Sequence, residues 1–317
     1  MVKQAGMTRT RWYLAAIAVS TIAIGPVLTA TASLSQDDET RDITKDWKSK
    51  RTENSSAASP HSGAHSSKPP SYVVKTKIPK AQDRADSPGN SEVGISIWRL
   101  RHSNSSDEVR DLIQPNQQGP KEAWTAERVG STGTLSDGQM VRLTIESLRT
   151  GYLYVIDRAR YLDGTYGDPY LIFPTARINN GDNRVRAGRL IQIPDPHDKP
   201  SYLELHRGAS KQGAQEEAEE LMILVTPDRL DAIENQSDRV RLSPETVALL
   251  KQRYGAPVER SQMKGAGGAA ITKAEDMAAK DPMKLLAADD PYPETIYRVA
   301  VGPSDPMLIT VHLRVGD

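Results

Sequence analysis

Seven side chains between positions 152 and 184 carry the most suggestive chemistry in this chain: Tyr152, Tyr154, Arg158, Tyr161, Tyr166, Tyr170 and Arg184. Tyrosine rings standing over a sheet can form a platform for a sugar or a peptide, with the hydroxyls as polar handles. Arginines among them, Arg160 included, suit an anionic partner or pair with neighbouring aspartates. The commoner role of such tyrosines is packing in core and turns. Asp157, Asp163, Asp168 and Asp182 share the segment. Calcium takes several oxygens from loops of this kind, yet the EF-hand spacing is absent, and turn aspartates ordinarily bond their own backbone.

Other constellations are weaker. His197 lies between Asp195 and Asp198, while His206 and His312 fall on expected strands, and no pair has metal-ligand spacing. Glu146 and Asp157 on neighbouring strands are the one carboxylate pair to weigh for glycoside hydrolysis. Outward-facing strand carboxylates are far commoner. No serine sits in a nucleophile elbow. The chain has no cysteine, which excludes a Cys–His peptidase. Gly265-Ala266-Gly267-Gly268 lacks the Gly-Lys-Ser/Thr that a phosphate loop needs, so it reads as a flexible loop. We therefore assign no catalytic residue, no metal and no cofactor.

The elements that must position these residues are strands. Val93 to Leu100 alternates, as does Gln139 to Glu146, where Val141, Leu143 and Ile145 face inward and Arg142, Thr144 and Glu146 outward. Tyr152 to Ile156 is apolar on both faces and reads as a central strand. Asp163-Gly164 and Asn179-Asn180-Gly181 are turns, since Asn and Gly tolerate positive φ. Strands follow at Tyr170–Phe173, Leu190–Ile193, Tyr202–His206 and Glu220–Val225. Short strands joined by Gly/Pro/Asn turns indicate a mainly β chain, an antiparallel β-sandwich, with a partly open barrel as the alternative. A helical insertion is expected at about 227–290. It would open with a short helix from Thr226-Pro227, a second after Ser243-Pro244, a third behind the capping box Thr272-x-x-Glu275, and another short turn of helix from Pro282. Thr295–Val301 and Met307–Leu313 read as a closing hairpin.

Several blocks occur in an order that resembles the domain-of-unknown-function family 4384: GYLYVIDR, a DG turn, PYLIFPT, GDNRVRAG with its following IQIP, and LMILVTP. The likeness covers roughly residues 125–226. It implies an exported β-rich module, often joined to enzyme domains elsewhere, and it brings no established catalytic residues.

The N-terminus sets the expected compartment. Lys3, Arg9 and Arg11 precede an apolar run from Trp12 to Leu28, then Ala30-Thr31-Ala32. That is the layout of a signal peptide over 1–32, with an uncleaved membrane anchor as its rival. Either way the remainder is exported, periplasmic or extracellular, and any membrane contact runs through residues 12–32. Residues 33–91 are Ser-rich and polar and read as a disordered linker, in which His61 and His65 are solvated. Residues 92–317 then form the sandwich domain with its insertion. Beyond residue 32 there are 38 basic and 41 acidic side chains, which argues against nucleic-acid binding. The expected function is a non-enzymatic exported module that binds a protein or cell-envelope partner. The alternatives are a carbohydrate-binding module and an envelope hydrolase.

Overall fold

Alternating inner-face residues of two sheets build the centre of this protein. The computed structural model describes residues 36–56, 72–76, 89–115, 119–130, 133–208, 213–230, 233 and 240–316, all within one unit. The expected signal or anchor segment 1–32, and His61 and His65, lie outside the described residues. Among the described residues no helix is long and apolar enough to cross a membrane.

The first sheet has nine strands. At its centre, β2 (Ser91–His102) pairs along one side with β6 (Met140–Ser147). On its other side it pairs first with β15 (Thr295–Val299), then with β4 (Glu122–Arg128). Beyond β15 lie β14 (Val258–Met263) and β1 (Tyr72–Thr76); beyond β4 lies β3 (Asp111–Ile113). Beyond β6 lie β10 (Arg189–Ile193) and β11 (Leu203–Glu204). The second sheet has seven strands. Here β7 (Gly151–Tyr161) and β12 (Glu216–Thr226) pair over their length, and β12 pairs in turn with β16 (Met307–Val315). Outside β7 run β8 (Tyr170–Phe173), β9 (Arg184–Val185) and β13 (Val240–Arg241). Outside β16, β5 (Thr134–Leu135) adds the one parallel pair among the described strands.

The chain is mainly β, and the two sheets pack face to face as a sandwich. Val93, Ile95, Leu143 and Ile145 of the first sheet meet Leu153, Val155, Leu221 and Ile223 of the second in the main core. Each such buried side chain stabilises by about 1.5–3 kcal/mol. The turn before β9 forms at Asn179–Gly181, with Asn179 and Asn180 both at φ 51°.

The outer faces are covered, which the alternating pattern of β6 does not indicate. All eight residues of β6 are buried, including the outward Arg142, Thr144 and Glu146. Part of the cover comes from the segment expected to be a disordered linker. There the structure instead has a helix, α1 (Gln36–Ser56), as well as β1. Ile43, Trp47 and Arg51 recur every fourth residue and are 0–2% exposed, so one narrow stripe docks an otherwise polar helix. Gly94 makes room for it, because a Cβ there would collide with Pro293 and lie 2.9 Å from the Trp47 ring.

The expected insertion is corrected in three respects. Residues 227–228 bend and 229–230 are irregular, so no helix forms there, and Pro282 with Met283 forms a turn and no helix. The two helices that do form lie on opposite sheets. In α2 (Pro244–Tyr254), capped by Ser243, Val247 and Leu250 pack on Tyr154, Ile156, Met222 and Leu224 of the second sheet. The capping box of Thr272 and Glu275 opens α3 (Lys273–Lys280). Its Ala278 and Glu275 lie against Trp98, Arg128 and Thr144 of the first sheet. Between the helices, β14 is a strand of the first sheet. The expected closing hairpin is likewise replaced: β15 and β16 belong to different sheets. The loop from Ala300 to Pro306, with prolines at 303 and 306, crosses the gap of about 10 Å between packed sheets.

Candidate functional site

Strand parity separates the seven residues singled out from the sequence. Side chains of β7 alternate between faces, so Tyr152, Tyr154 and Arg158 point to the outer face and Tyr161 to the inner one. Tyr154 is 0% exposed beneath α2, and its hydroxyl accepts a hydrogen bond from Leu230 N at 2.8 Å. This corrects its placement on a binding surface. Tyr152 is half-buried, 5.7 Å from the Arg229 guanidinium. Tyr166 is exposed, with the Arg158 guanidinium 3.7 Å from its ring centre. Tyr161 is buried on the inner face, Tyr170 is half-buried, and Arg184 is exposed on β9. Arg158 and Tyr166 come together, whereas Tyr154 and Tyr161 are buried on opposite faces, so the flat tyrosine platform does not form.

Arg158 has a structural partner. Together with Lys251 of α2 at 2.7 Å and His312 at 3.4 Å it surrounds the Glu220 carboxylate. Burial pushes the Glu220 carboxyl up, but His312, Lys251 and Arg158 outweigh it and hold it at about 2. The carboxylate pair weighed for glycoside hydrolysis is also separated. Glu146 lies on the outer face of the first sheet, bound to Arg51 by two bonds of 2.6 and 2.8 Å, whereas Asp157 lies on the second sheet. The turn aspartates engage locally. Asp163 accepts from Thr165 N, Asp182 from Arg184 N, and Asp168 pairs with Arg241. Among the described residues no group of three or more His, Cys, Asp or Glu is placed to hold a metal ion.

The strongest chemistry lies between the sheets. A cleft of about 390 Å3 opens between Val141, Leu143 and Leu205 on one side and Leu221 and Leu313 on the other. Asp157, Tyr170 and Thr175 also line it. Its volume falls within the range of small-ligand pockets, roughly 300–1,000 Å3. A larger depression of about 590 Å3 beside Pro227, Tyr254 and Pro306 is shallower, and its charged residues Asp228, Arg253 and Asp305 are exposed to water. The inter-sheet cleft is the better site because it is less open and apolar side chains make up more than half of its lining, with Arg177, Lys199, Glu204 and His206 exposed beside them.

Beside the cleft the inner face turns acidic. Glu219 stands opposite Ala159 on β7 and Leu313 on β16, so it shares the inner face with Asp157 and Leu221. An irregularity in register between Glu216 and Ala218 returns Glu216 to that same face, opposite Tyr161. Glu216 and Glu219 are 3% and 7% exposed. One Glu216 oxygen accepts from Gly208 N at 2.7 Å; its other oxygen, like Oε2 of Glu219, has no hydrogen-bond partner among the described residues. Burial first, then the charges of Asp157 and Glu216, push the Glu219 carboxyl up to about 9, so it holds a proton at neutral pH. Burial, then Glu216 and Glu219, also raise the Tyr161 phenol.

Sequence reasoning missed Glu216, Glu219 and Thr175. A signal existed for Glu219: it precedes Leu221, Ile223 and Val225 at strand period, and those three face the core. Glu216 gave none, because only the bulge turns it inward. No family model matches this chain, and no curated protein or solved structure matches it either.

Proposed function

We propose that this chain is an exported, non-enzymatic β-sandwich module that binds a cell-envelope partner by taking an apolar arm of that partner between its sheets. The observation that carries this reading is the inter-sheet cleft, walled by Val141, Leu143, Leu205, Leu221 and Leu313. Ile172, Ile178, Leu203 and Leu205, which the core leaves half-buried at the cleft, gain from an apolar occupant at roughly 25 cal/mol per Å2 of apolar area covered. Export rests on the signal-like residues 1–32, and the likeness of residues 125–226 to family 4384 belongs to the same proposal. The carbohydrate reading loses its support with the burial of Tyr154. The hydrolase reading loses it with the separation of Glu146 from Asp157.

The test is calorimetric titration of the full chain with octanol, an apolar arm without charge. Octanol should bind saturably. Leu205→Trp, which enlarges a half-buried side chain on the cleft wall, should weaken it about tenfold or more, equivalent to 1.4 kcal/mol, with little change in melting temperature. Absence of binding, or equal binding by the variant, would sink the reading.

A further inference from the structure

We propose that the chain binds a phosphomonoester at Arg184, Arg186 and Arg189, in a depression separate from the inter-sheet cleft. The inference does not depend on the cleft reading.

The three arginines lie where the chain passes from one sheet to the other. Arg184 belongs to β9 of the second sheet, and Arg189 opens β10 of the first. Val185 is turned into the core at 2% exposure, so its neighbours Arg184 and Arg186 project to the opposite side. Gly188, at φ 72°, makes the turn. Its N–H donates to the Ser147 carbonyl at 3.0 Å, and its carbonyl accepts from Leu286 N at 2.8 Å. Ala187 N donates to the Thr150 hydroxyl at 3.2 Å. The backbone that presents the guanidinium groups is therefore pinned on both sides, which lowers the ordering cost of binding.

All three arginines line one open depression of about 430 Å3, walled also by Asn54, Thr150 and Leu285, and no acidic residue lines it. Elsewhere Arg51, Arg142, Arg158 and Arg298 each meet a carboxylate. None of these three does so among the described residues; Arg189 donates to the Met283 sulfur, a weak acceptor, at 3.3 Å. Asp182 stands two residues before Arg184, but its carboxylate accepts from the Arg184 backbone N–H and does not line the depression. Three like charges gathered without an acid repel one another, and an anion relieves that repulsion.

The number of donors selects the anion. A guanidinium offers five N–H donors in a fixed fork that matches oxyanions. A carboxylate brings two oxygens and one charge, enough for one fork. A phosphomonoester brings three oxygens and about 1.5–2 negative charges at neutral pH, so it can engage several arginines at once. The depression is of small-ligand size, which leaves room for the carbon skeleton of the ester against Leu285 and Ala187. A nucleic-acid strand would need a longer basic track, and the whole chain has 41 basic and 41 acidic side chains.

The experiment follows the arginine Nε–Hε signals of the full chain by NMR at neutral pH. Glycerol phosphate should shift the signals of Arg184, Arg186 and Arg189 saturably and bind about tenfold or more tightly than propionate. Uncharged glycerol should leave them still. Arg184→Gln and Arg186→Gln change exposed side chains, so the thermal melt should stay intact. Each should weaken glycerol phosphate about fivefold, the upper end for an exposed ion pair. Arg253→Gln, beside the Tyr254 depression, should change nothing. A second arm measures co-sedimentation with phosphatidylcholine vesicles, with and without phosphatidic acid, which carries the same phosphomonoester on a lipid. Binding of glycerol phosphate identifies a soluble ester as the source. Binding only to the phosphatidic acid vesicles, weakened by Arg184→Gln and Arg186→Gln, identifies the lipid. Propionate binding as tightly as glycerol phosphate would overturn the phosphate assignment. Binding that survives both substitutions, or no response to either phosphate source, would overturn the site itself.

Discussion

Glu219 is the residue where chemistry and stability meet. Its carboxyl is raised from 4.5 to about 9 by burial and by the neighbouring Asp157 and Glu216. The folded state therefore holds a proton that the unfolded chain releases once pH exceeds the ordinary carboxyl range. The associated stability is complete below about pH 4.5 and declines as pH rises toward 9. Glu219→Gln removes that dependence. It should leave melting unchanged near pH 4 and raise it at pH 8, by roughly 2–4 °C for each kcal/mol regained. Equal melting shifts at both pH values would contradict this assignment. Glu220, one residue on, shows the opposite environment: it faces outward to Arg158, Lys251 and His312. Its depressed carboxyl contributes stability above the ordinary range that is lost as pH falls toward 2. The pair shows how far the sequence could be read. Strand period assigns adjacent glutamates to opposite faces, yet it does not reveal which face holds their partners, because Lys251 and His312 arrive from distant elements.

At the scale of elements, α1 carries the main surprise. Its composition is that of a solvated linker, and only Ile43, Trp47 and Arg51 betray a docking stripe. What makes the helix stay is the surface waiting for it. Gly94 leaves space for the Trp47 ring, Glu146 binds the Arg51 guanidinium, and the carbonyls of Asp290 and Pro291 accept from it at 2.8 and 2.9 Å. None of these partners lies near residue 51 in sequence, so no local pattern could announce them. Removing one member of such a buried pair costs about 3–5 kcal/mol, whereas replacing both by apolar groups is often neutral. Arg51→Met should therefore lower stability by about that amount, and Arg51→Met with Glu146→Leu should recover most of it. Denaturant titration of the single and double variants decides the matter. A double variant as unstable as the single would refute the pairing argument. Where capping chemistry was local, at Ser243 and at Thr272 with Glu275, the sequence placed the helices correctly.

For the whole molecule, the decisive feature is that the sandwich is covered on both outer faces, packed between its sheets, and carries a cleft lined by residues of both sheets. The covers use α1 and α3 on one side and α2 on the other. The sandwich itself follows from alternation in β2, β6, β7 and β12. The sheet assignment of β15 and β16 did not, because two apolar strands joined by a short loop look the same whether they pair or part. The cleft between the sheets emerges only from the assembled fold, as its walls come from strands and loops between Val141 and Leu313. The central claim is that this cleft is the binding site. The most direct test is methyl NMR of the full chain with octanol added. Shifts should concentrate at Leu143, Leu203, Leu205, Leu221 and Leu313, while Val247 and Leu250 of α2 remain still. Shifts centred instead on Leu230 and Val301, beside the shallow Tyr254 depression, or no localised shifts at all, would contradict the account.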